Sequence, residues 1–334
     1  MKKNIQSKMK KVFLGLLILG LFAFIAGCGQ SDKQAESKTV KLGIIQIAEH
    51  PALDAARKGF LETLAKNGYV EGKNLVVDYQ NAQGDQATLQ SIASKFVQDK
   101  KDLILAIATP SAMTMANETK DIPILITAVT DPVTAKLVAS LEKPGANITG
   151  TTDMNPVAKQ LELVKDFVPN AKTVGIIYNS SEINSEVQVK IAREAAPKLG
   201  FTLREATVTA SSEVMQAAQS LVSKVDAIYL PTDNMVITSL AAVLQVAEEK
   251  KIPVIAAETN SVEQGALATL GIDYAKLGSQ TGEMALRVLK GEKPQDMAIE
   301  GQKESNIVIN LKAAQRMGVT VTDAVKAKAA RVIE

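Results

Sequence analysis

The feature that most constrains this chain is a series of short apolar runs, each followed by a segment with helical periodicity. The runs are "VKLGIIQI", "LVVDY", "LILAIA", "PILITAV", "VGIIY", "AIYLP", "PVIAA" and "LATLGID". Several are apolar at nearly every position, so both of their faces must be buried. That pattern suits central strands of a parallel sheet covered by helices on both sides. In 51–67, Leu53, Ala56, Phe60, Leu61 and Leu64 fall on one helical stripe, with Pro51 at the start and Gly68 as a stop. In 86–98, Leu89, Ile92, Ala93, Phe96 and Val97 do the same. Repeated strand–helix units predict a doubly wound α/β fold.

The series breaks once. Residues 141–156, "LEKPGANITGTTDMNP", are rich in Gly, Pro, Thr and Asn, and the same rhythm resumes after them. The break predicts two α/β lobes with a crossover near Ile148–Thr152. A late interruption, "LKGEKPQDMAIEGQKESN", precedes a short strand "IVIN" and a last helix, which marks a further crossing. The expected division is 39–149 plus about 274–304 for one lobe, and 150–273 plus about 305–334 for the other. A chain of 334 residues is long enough for two domains with substantial cores. With no Trp, five Tyr and seven Phe, those cores must be filled by Ile, Leu, Val and Ala.

The first residues read as a targeting segment, not as part of the fold. Lys2, Lys3, Lys8, Lys10 and Lys11 are followed by an apolar run ending in small residues before Cys28. This is the pattern of a secretory signal over 1–27. Its apolar stretch, 12–26, is shorter than the roughly 20 residues a spanning helix needs. Cys28 is the only cysteine, so the exported chain has no internal disulfide. Residues 28–38 then form a polar tether. Losing the five leader lysines turns a net charge of +2 into −3, so nothing suggests a nucleic-acid surface.

In open parallel sheets, ligands bind beyond the carboxyl ends of the strands. In the first half those ends carry Gln46, Glu49 and His50, then Thr109 and Ser111 in "ATPSA", then Thr130 and Asp131 in "VTDP". In the second half they carry Asn179, Ser180, Ser181 and Asn184 in "YNSSEINS". Asp233 and Asn234 follow in "PTDN", then Glu258 in "AETN", then Asp273. A helix N-terminus presents unpaired N–H groups and the positive end of the helix dipole. With Ser and Asn beside it, it can hold a ligand carboxylate. A plainer account competes at several positions. Asn179 with Glu182 fits a capping box, Asp131 and Asp233 fit a turn and a cap, and His50 fits a helix start. The surplus of Ser180, Ser181, Asn184 and Ser185 over the single acceptor a cap needs favours ligand contact. A ligand ammonium would meet one of Asp131, Asp233, Glu258 or Asp273.

Catalytic and cofactor patterns are mostly absent. There is no GxGxxG, Walker loop or GxSxG. His50 is the only histidine, which rules out a multi-histidine metal site. No catalytic residue, metal or cofactor is expected.

The opening "VKLGIIQIAEHPALDAARKGFLETLAKNGYVEGKNL", together with "ATPSA", "VTDPV", "GIIYNSSEINS", "YLPTDN" and "GALATLGIDYAKLGSQTGEMALRVLKGE", resembles the ABC-transporter substrate-binding lipoproteins of the tryptophan/tyrosine type. Ile25-Ala26-Gly27-Cys28 resembles their lipobox. The resemblance runs from about Cys28 to Gly318. It implies a type I periplasmic-binding fold with two Rossmann-like lobes and a three-segment hinge. It also implies lipidation of Cys28, anchoring on the outer face of the cell membrane, delivery to an ABC permease as a monomer, and an aromatic amino acid ligand. The ligand carboxylate would meet 180–184 and 109–111, and the ammonium 131, 233–234 or 258. An aromatic ligand wants apolar walls, for which Ile47, Met113, Tyr178, Tyr229 and Tyr274 are candidates. The competing readings are a sugar or nucleoside receptor, a ligand sensor of the same fold, and a lipoprotein enzyme using His50 with Asp131 or Glu258.

Overall fold

The computed structural model describes residues 39–302 and 304–334. The leader, Cys28 and the tether lie outside the described residues. Among those described, no helix is long and apolar enough to cross a membrane.

The apolar runs form strands. In the first lobe these are β1 (Val40–Gln46), β2 (Leu75–Asn81), β3 (Leu103–Ile107), β4 (Ile124–Val129) and β5 (Ile148–Thr152). They join in the order β2-β1-β3-β4-β5, all parallel, and β11 (Glu300–Gly301) adds to β5 at the edge. Every residue of β3 and β4 is buried, as an unbroken apolar run requires. β2, at the edge, is only partly buried.

The second lobe repeats the plan with β6 (Thr173–Asn179), β7 (Thr202–Val208), β8 (Ala227–Leu230), β9 (Val254–Ala256) and β10 (Ala268–Gly271). Their order, β7-β6-β8-β9-β10, matches the first sheet strand for strand. β12 (Asn306–Asn310) pairs antiparallel with β10, and β13 (Arg331–Ile333) lies beyond it. Each lobe has its own apolar core.

The helical stripes pack as expected. α1 (Pro51–Lys66) buries Leu53, Ala56, Phe60 and Leu64, and α2 (Gln86–Gln98) buries Leu89, Ile92, Ala93 and Phe96. Burying one Phe, such as Phe60 or Phe96, contributes about 1.5–3 kcal/mol. α3 (Thr109–Glu118) follows β3, and α4 (Val157–Phe167) opens the second lobe. α5 (Ile183–Ala195) follows β6, α6 (Val214–Val222) follows β7, and α7 (Asn234–Thr238) and α8 (Leu240–Lys250) follow β8. α9 (Thr259–Glu263) follows β9. α10 (Tyr274–Leu289) returns to the first lobe against α1. There a Cβ on Gly278 would lie 1.8 Å from Ala56 O, and one on Gly59 2.1 Å from Ala275 O. The two helices touch backbone to backbone, and only glycine fits. α11 (Leu311–Arg316) and α12 (Asp323–Lys326) finish the second lobe.

The chain passes between the sheets three times: after β5, between β10 and α10, and between β11 and β12. The segment Ile148–Thr152, read above as the crossover, is itself strand β5. Its pairing with β4 keeps 150–152 in the first sheet, and the crossing begins at Asp153.

Candidate functional site

In each sheet the strand order reverses between the first and third strands, and the carboxyl ends flanking that reversal are where doubly wound folds bind ligands. The first lobe offers the ends of β1 and β3, and the second those of β6 and β8. All four line one cleft between the lobes, of about 740 Å³. From the first lobe come Ile47, Glu49, Asn81, Thr109, Pro110 and Met113. Facing them are Asn179, Ser181, Glu182, Ile183, Asn184 and Met235. Among the described residues no Lys or Arg lines it.

At the β6–α5 junction most polar side chains are occupied with each other. Asn179 Oδ1 accepts from Ser181 N at 2.9 Å. Asn184 Nδ2 donates to Glu182 Oε2 and to Thr232 O, both at 2.9 Å. Glu182 Oε2 also accepts from Asn234 Nδ2 at 2.6 Å. Asp233 takes Asn179 N at 2.5 Å and Ser185 Oγ at 2.7 Å, and caps α7 through Val236 N at 2.8 Å. Ser180 and Ser181 are exposed, and only Ser181 reaches the cleft. Burial raises the pKa of Glu182 and of Asp233, and for Glu182 the Asp233 charge adds to it.

At the β3–α3 junction the balance is reversed. Thr109 and Ser111 are 1% and 0% exposed, yet neither hydroxyl has a partner. They sit in the first turn of α3, whose leading N–H groups find no acceptor inside the helix. Ala108, just before it, has φ 73° and ψ 158°, a region essentially reserved for glycine.

Behind the cleft, sharing Asn184 and Asn234 with it, lies a chamber of about 20 Å³, roughly the room of one water. His50, Thr130, Asp153, Thr232, Asp233, Glu258 and Tyr274 line it. Both lobes meet here. Thr130 and Thr232 hydroxyls lie 3.3 Å apart, and His50 and Asn234 face each other across the chamber wall. Burial pushes His50 down to about 4, so it is neutral at pH 7. Glu258 caps α9: its Oε1 accepts from Ser261 N at 2.8 Å and from the Ser261 hydroxyl. Its Oε2 is buried without a partner, and burial pushes its pKa up to about 7. The Tyr274 hydroxyl donates to Asp153 Oδ2, while Asp153 Oδ1 is buried and unpartnered. Burial raises Asp153 as well.

Some candidates lie elsewhere. Asp131 closes a turn, accepting from Val133 N, Thr134 N and Thr134 Oγ1. Asp273 caps α10 through Ala275 N and Lys276 N. Gln46 is buried against Ala48 O and Asp54. None of these three lines the cleft or the chamber. Tyr178 bonds Glu205 and Tyr229 bonds Gln160 inside the second lobe, so neither forms a wall. The apolar walls are Ile47, Pro110, Met113, Ile183 and Met235. Asp153 and Glu182 were missed as site residues. Asp153 was readable as the one carboxylate in the Gly/Thr-rich crossing "TGTTDMNP". Glu182 was hidden by its fit to a capping box, although its side chain makes no cap bond. Among the described residues no cluster of His, Cys, Asp and Glu is arranged to hold a metal ion.

Residues 41–333 match the family model of the ABC transporter substrate binding proteins. A tyrosine-binding protein of Clostridioides difficile is 51% identical over 314 residues, 91% of each chain. An ABC domain from Streptococcus pneumoniae solved with L-Trp is 39% identical and covers 89% of this chain and 100% of its own, with a TM-score of 0.85. A substrate-binding protein from Clostridium difficile, solved open and ligand-free, is 52% identical and covers 88% and 99%, with a TM-score of 0.67. Of these two, the better superposition falls on the less similar sequence, the one solved with L-Trp. The two lobes have the type I periplasmic-binding architecture, and the chain belongs to the ABC transporter substrate-binding protein family.

Proposed function

We propose that this chain is the extracytoplasmic receptor of an importer, closing its lobes over an aromatic amino acid, tyrosine or tryptophan. The observation that carries this reading is the start of α3, where Thr109 lines the cleft and its buried hydroxyl, like that of Ser111, which does not line the cleft, has no partner. A ligand carboxylate would supply the acceptor they lack and meet the positive end of the helix dipole. Met113, one turn further along α3, and Pro110, Ile183 and Met235 give an apolar bed for a ring, with methionine sulfur suited to aromatic contact. The names of the relatives from Clostridioides difficile and Streptococcus pneumoniae support the same ligand class.

The mechanism is a population shift. Contacts from both lobes favour the closed state over the open one by their difference in binding energy. A membrane permease would then recognise the closed lobes. Lipidation at Cys28 after removal of 1–27 would hold the monomeric receptor beside it, since two or more acyl chains anchor stably. The chain acts as a binder, not a catalyst.

A thermal-shift panel of amino acids, sugars and nucleosides on the full chain in mild detergent tests this. A ligand at 100 times its dissociation constant stabilises by about 2.7 kcal/mol. The expected outcome is a shift confined to tyrosine, tryptophan and phenylalanine. Tryptophan binding is also visible in the ligand's own fluorescence, because the chain has no Trp. A shift with sugars or nucleosides alone overturns the ligand assignment.

A further inference from the structure

We propose that the chamber behind the cleft seats the ligand's primary ammonium, and that its arrival expels a proton to solvent, so that capture and proton release are one event. The inference rests on the reading of the ligand as an amino acid.

Three residues of the chamber wall, on three separate elements, carry a buried acceptor without a partner: Glu258 Oε2 at the start of α9, Asp153 Oδ1 at the first crossing, and Asn184 Oδ1 in α5. A primary ammonium carries three N–H donors. His50 Nδ1, also unpartnered, is a fourth acceptor on the chamber wall. The space is that of about one water, which suits an –NH₃⁺ head and excludes a trimethylated or acylated one. Asn184 and Asn234 line both spaces, so a ligand in the cleft has its head at the chamber mouth.

The charged groups around it are one-sided. Asp233 faces it from the start of α7, with Glu182 beyond, and both are satisfied by hydrogen bonds. Tyr274 faces it from α10 as a donor to Asp153. His50 faces it from the start of α1, with Asp54 behind, and Glu263 approaches Glu258 from the far end of α9. Among the described residues no Lys or Arg lines it. A buried carboxylate oxygen with neither donor nor counter-charge is costly. Without ligand the chamber therefore holds a proton on one of its open carboxyls, Glu258 or Asp153. The raised pKa of Glu258 agrees with this. When the ammonium enters, the O–H bond of that carboxyl breaks and its proton leaves to solvent. The resulting carboxylate accepts from the ammonium. One positive charge leaves as one arrives.

The sign follows from linkage. Below the folded pKa of about 7 the proton must be removed before the ammonium binds, so affinity falls by about tenfold per pH unit. Above it the carboxylate is already charged and the dependence vanishes. Ligand-free stability runs the other way. Because the folded pKa lies above the unfolded one, this group's contribution is complete below about 4.5 and is lost as pH rises through about 7.

Calorimetry on the full chain, titrating L-tyrosine and L-tryptophan in buffers of different ionisation enthalpy, counts the protons. About one proton released per ligand at pH 6, falling toward none at pH 8.5, is the expected result. Glu258→Gln keeps the Oε1 acceptor for Ser261 and should bind more weakly with no proton release. Asp153→Asn gives the same test should the first variant fold poorly, with release reduced or lost. N-acetyl-L-tyrosine should not bind. Tight binding whose heat is independent of buffer from pH 5.5 to 8.5, or N-acetyl-L-tyrosine binding as well as tyrosine, overturns the proposal. If neither aromatic amino acid binds but another amino acid does with proton release, the aromatic reading fails and this inference stands. If no primary amine binds, both fail.

Discussion

The two strand–helix junctions that face each other across the cleft are built from the same residue types and do opposite things. At β6–α5 most of the small polar side chains satisfy one another and the buried Glu182 and Asp233, with Asn184 Oδ1 left without a partner. At β3–α3 the buried hydroxyls of Thr109 and Ser111 satisfy nothing. Native proteins rarely leave buried polar atoms unmatched, and each one left over calls for an explanation, of which a missing ligand is one. The first junction is mostly scaffold, and the second is the proposed seat of the ligand carboxylate. The number of polar residues does not separate them. The state of their hydrogen bonds does.

The largest expected effect follows from that difference. Thr109→Val with Ser111→Ala removes the two hydroxyls proposed to donate to the ligand carboxylate, each such bond being worth about 1.5–3 kcal/mol. Affinity for the aromatic ligand should fall a hundredfold or more, measured by calorimetry. The urea midpoint should hold or rise, because two unmet buried hydroxyls are gone. A loss of fold with affinity intact would break the comparison. Next in size is Ser185→Ala on the other side. Its hydroxyl donates to Asp233 Oδ2 at 2.7 Å, and removing it leaves a buried carboxyl short of a donor. A stability loss of about 1–3 kcal/mol is expected in urea unfolding, the cost of an unsatisfied buried partner. Ligand affinity, measured well below the unfolding transition, should change little.

A third test concerns backbone strain. Ala108 is held at φ 73° before α3, whereas residues 179–185 contain no positive φ. Strain of this kind costs about 1–3 kcal/mol and persists where the surroundings enforce it. Ala108→Gly relieves it and should raise stability by about 1 kcal/mol. If the strained turn pre-aims the first amides of α3, the same variant binds ligand more weakly. Equal affinity with greater stability would show that the strain has no part in binding.

The sheets were legible because their signal is local. Fully apolar runs such as "LILAIA" and the stripe Leu53, Ala56, Phe60, Leu64 depend only on burial, which period and composition report. The strands that went unread lack such a run. β5, "ITGTT", has one branched aliphatic residue and looks like a loop, although β4 beside it makes it a strand. β7, "TLREATV", is a largely exposed edge. The site was legible in outline, since strand ends could be located. What could not be read is which polar groups find partners, because that is decided by residues far apart in sequence. Glu258 and Asp153 meet in one chamber although 105 positions separate them. Asp131 and Asp233 look alike as "TD" pairs, yet one closes a surface turn and the other is buried beneath the cleft.

The smallest effect is expected from the very residues that drew attention to "YNSSEINS". Ser180 and Ser181 are exposed, and the bond formed at Ser181 uses its backbone N–H, not its hydroxyl. Ser180→Ala with Ser181→Ala should therefore change stability by no more than about 0.5 kcal/mol, the range for surface substitutions away from special features. Its effect on affinity divides two accounts of closure. If Ser181, on the cleft wall, only completes the scaffold, affinity also stays within about twofold, since 0.5 kcal/mol is roughly that factor. If its hydroxyl turns to the ligand once the lobes close, affinity falls while stability does not. That second outcome would add a ligand-facing group at the rim of the β6–α5 junction, and would narrow its contrast with β3–α3.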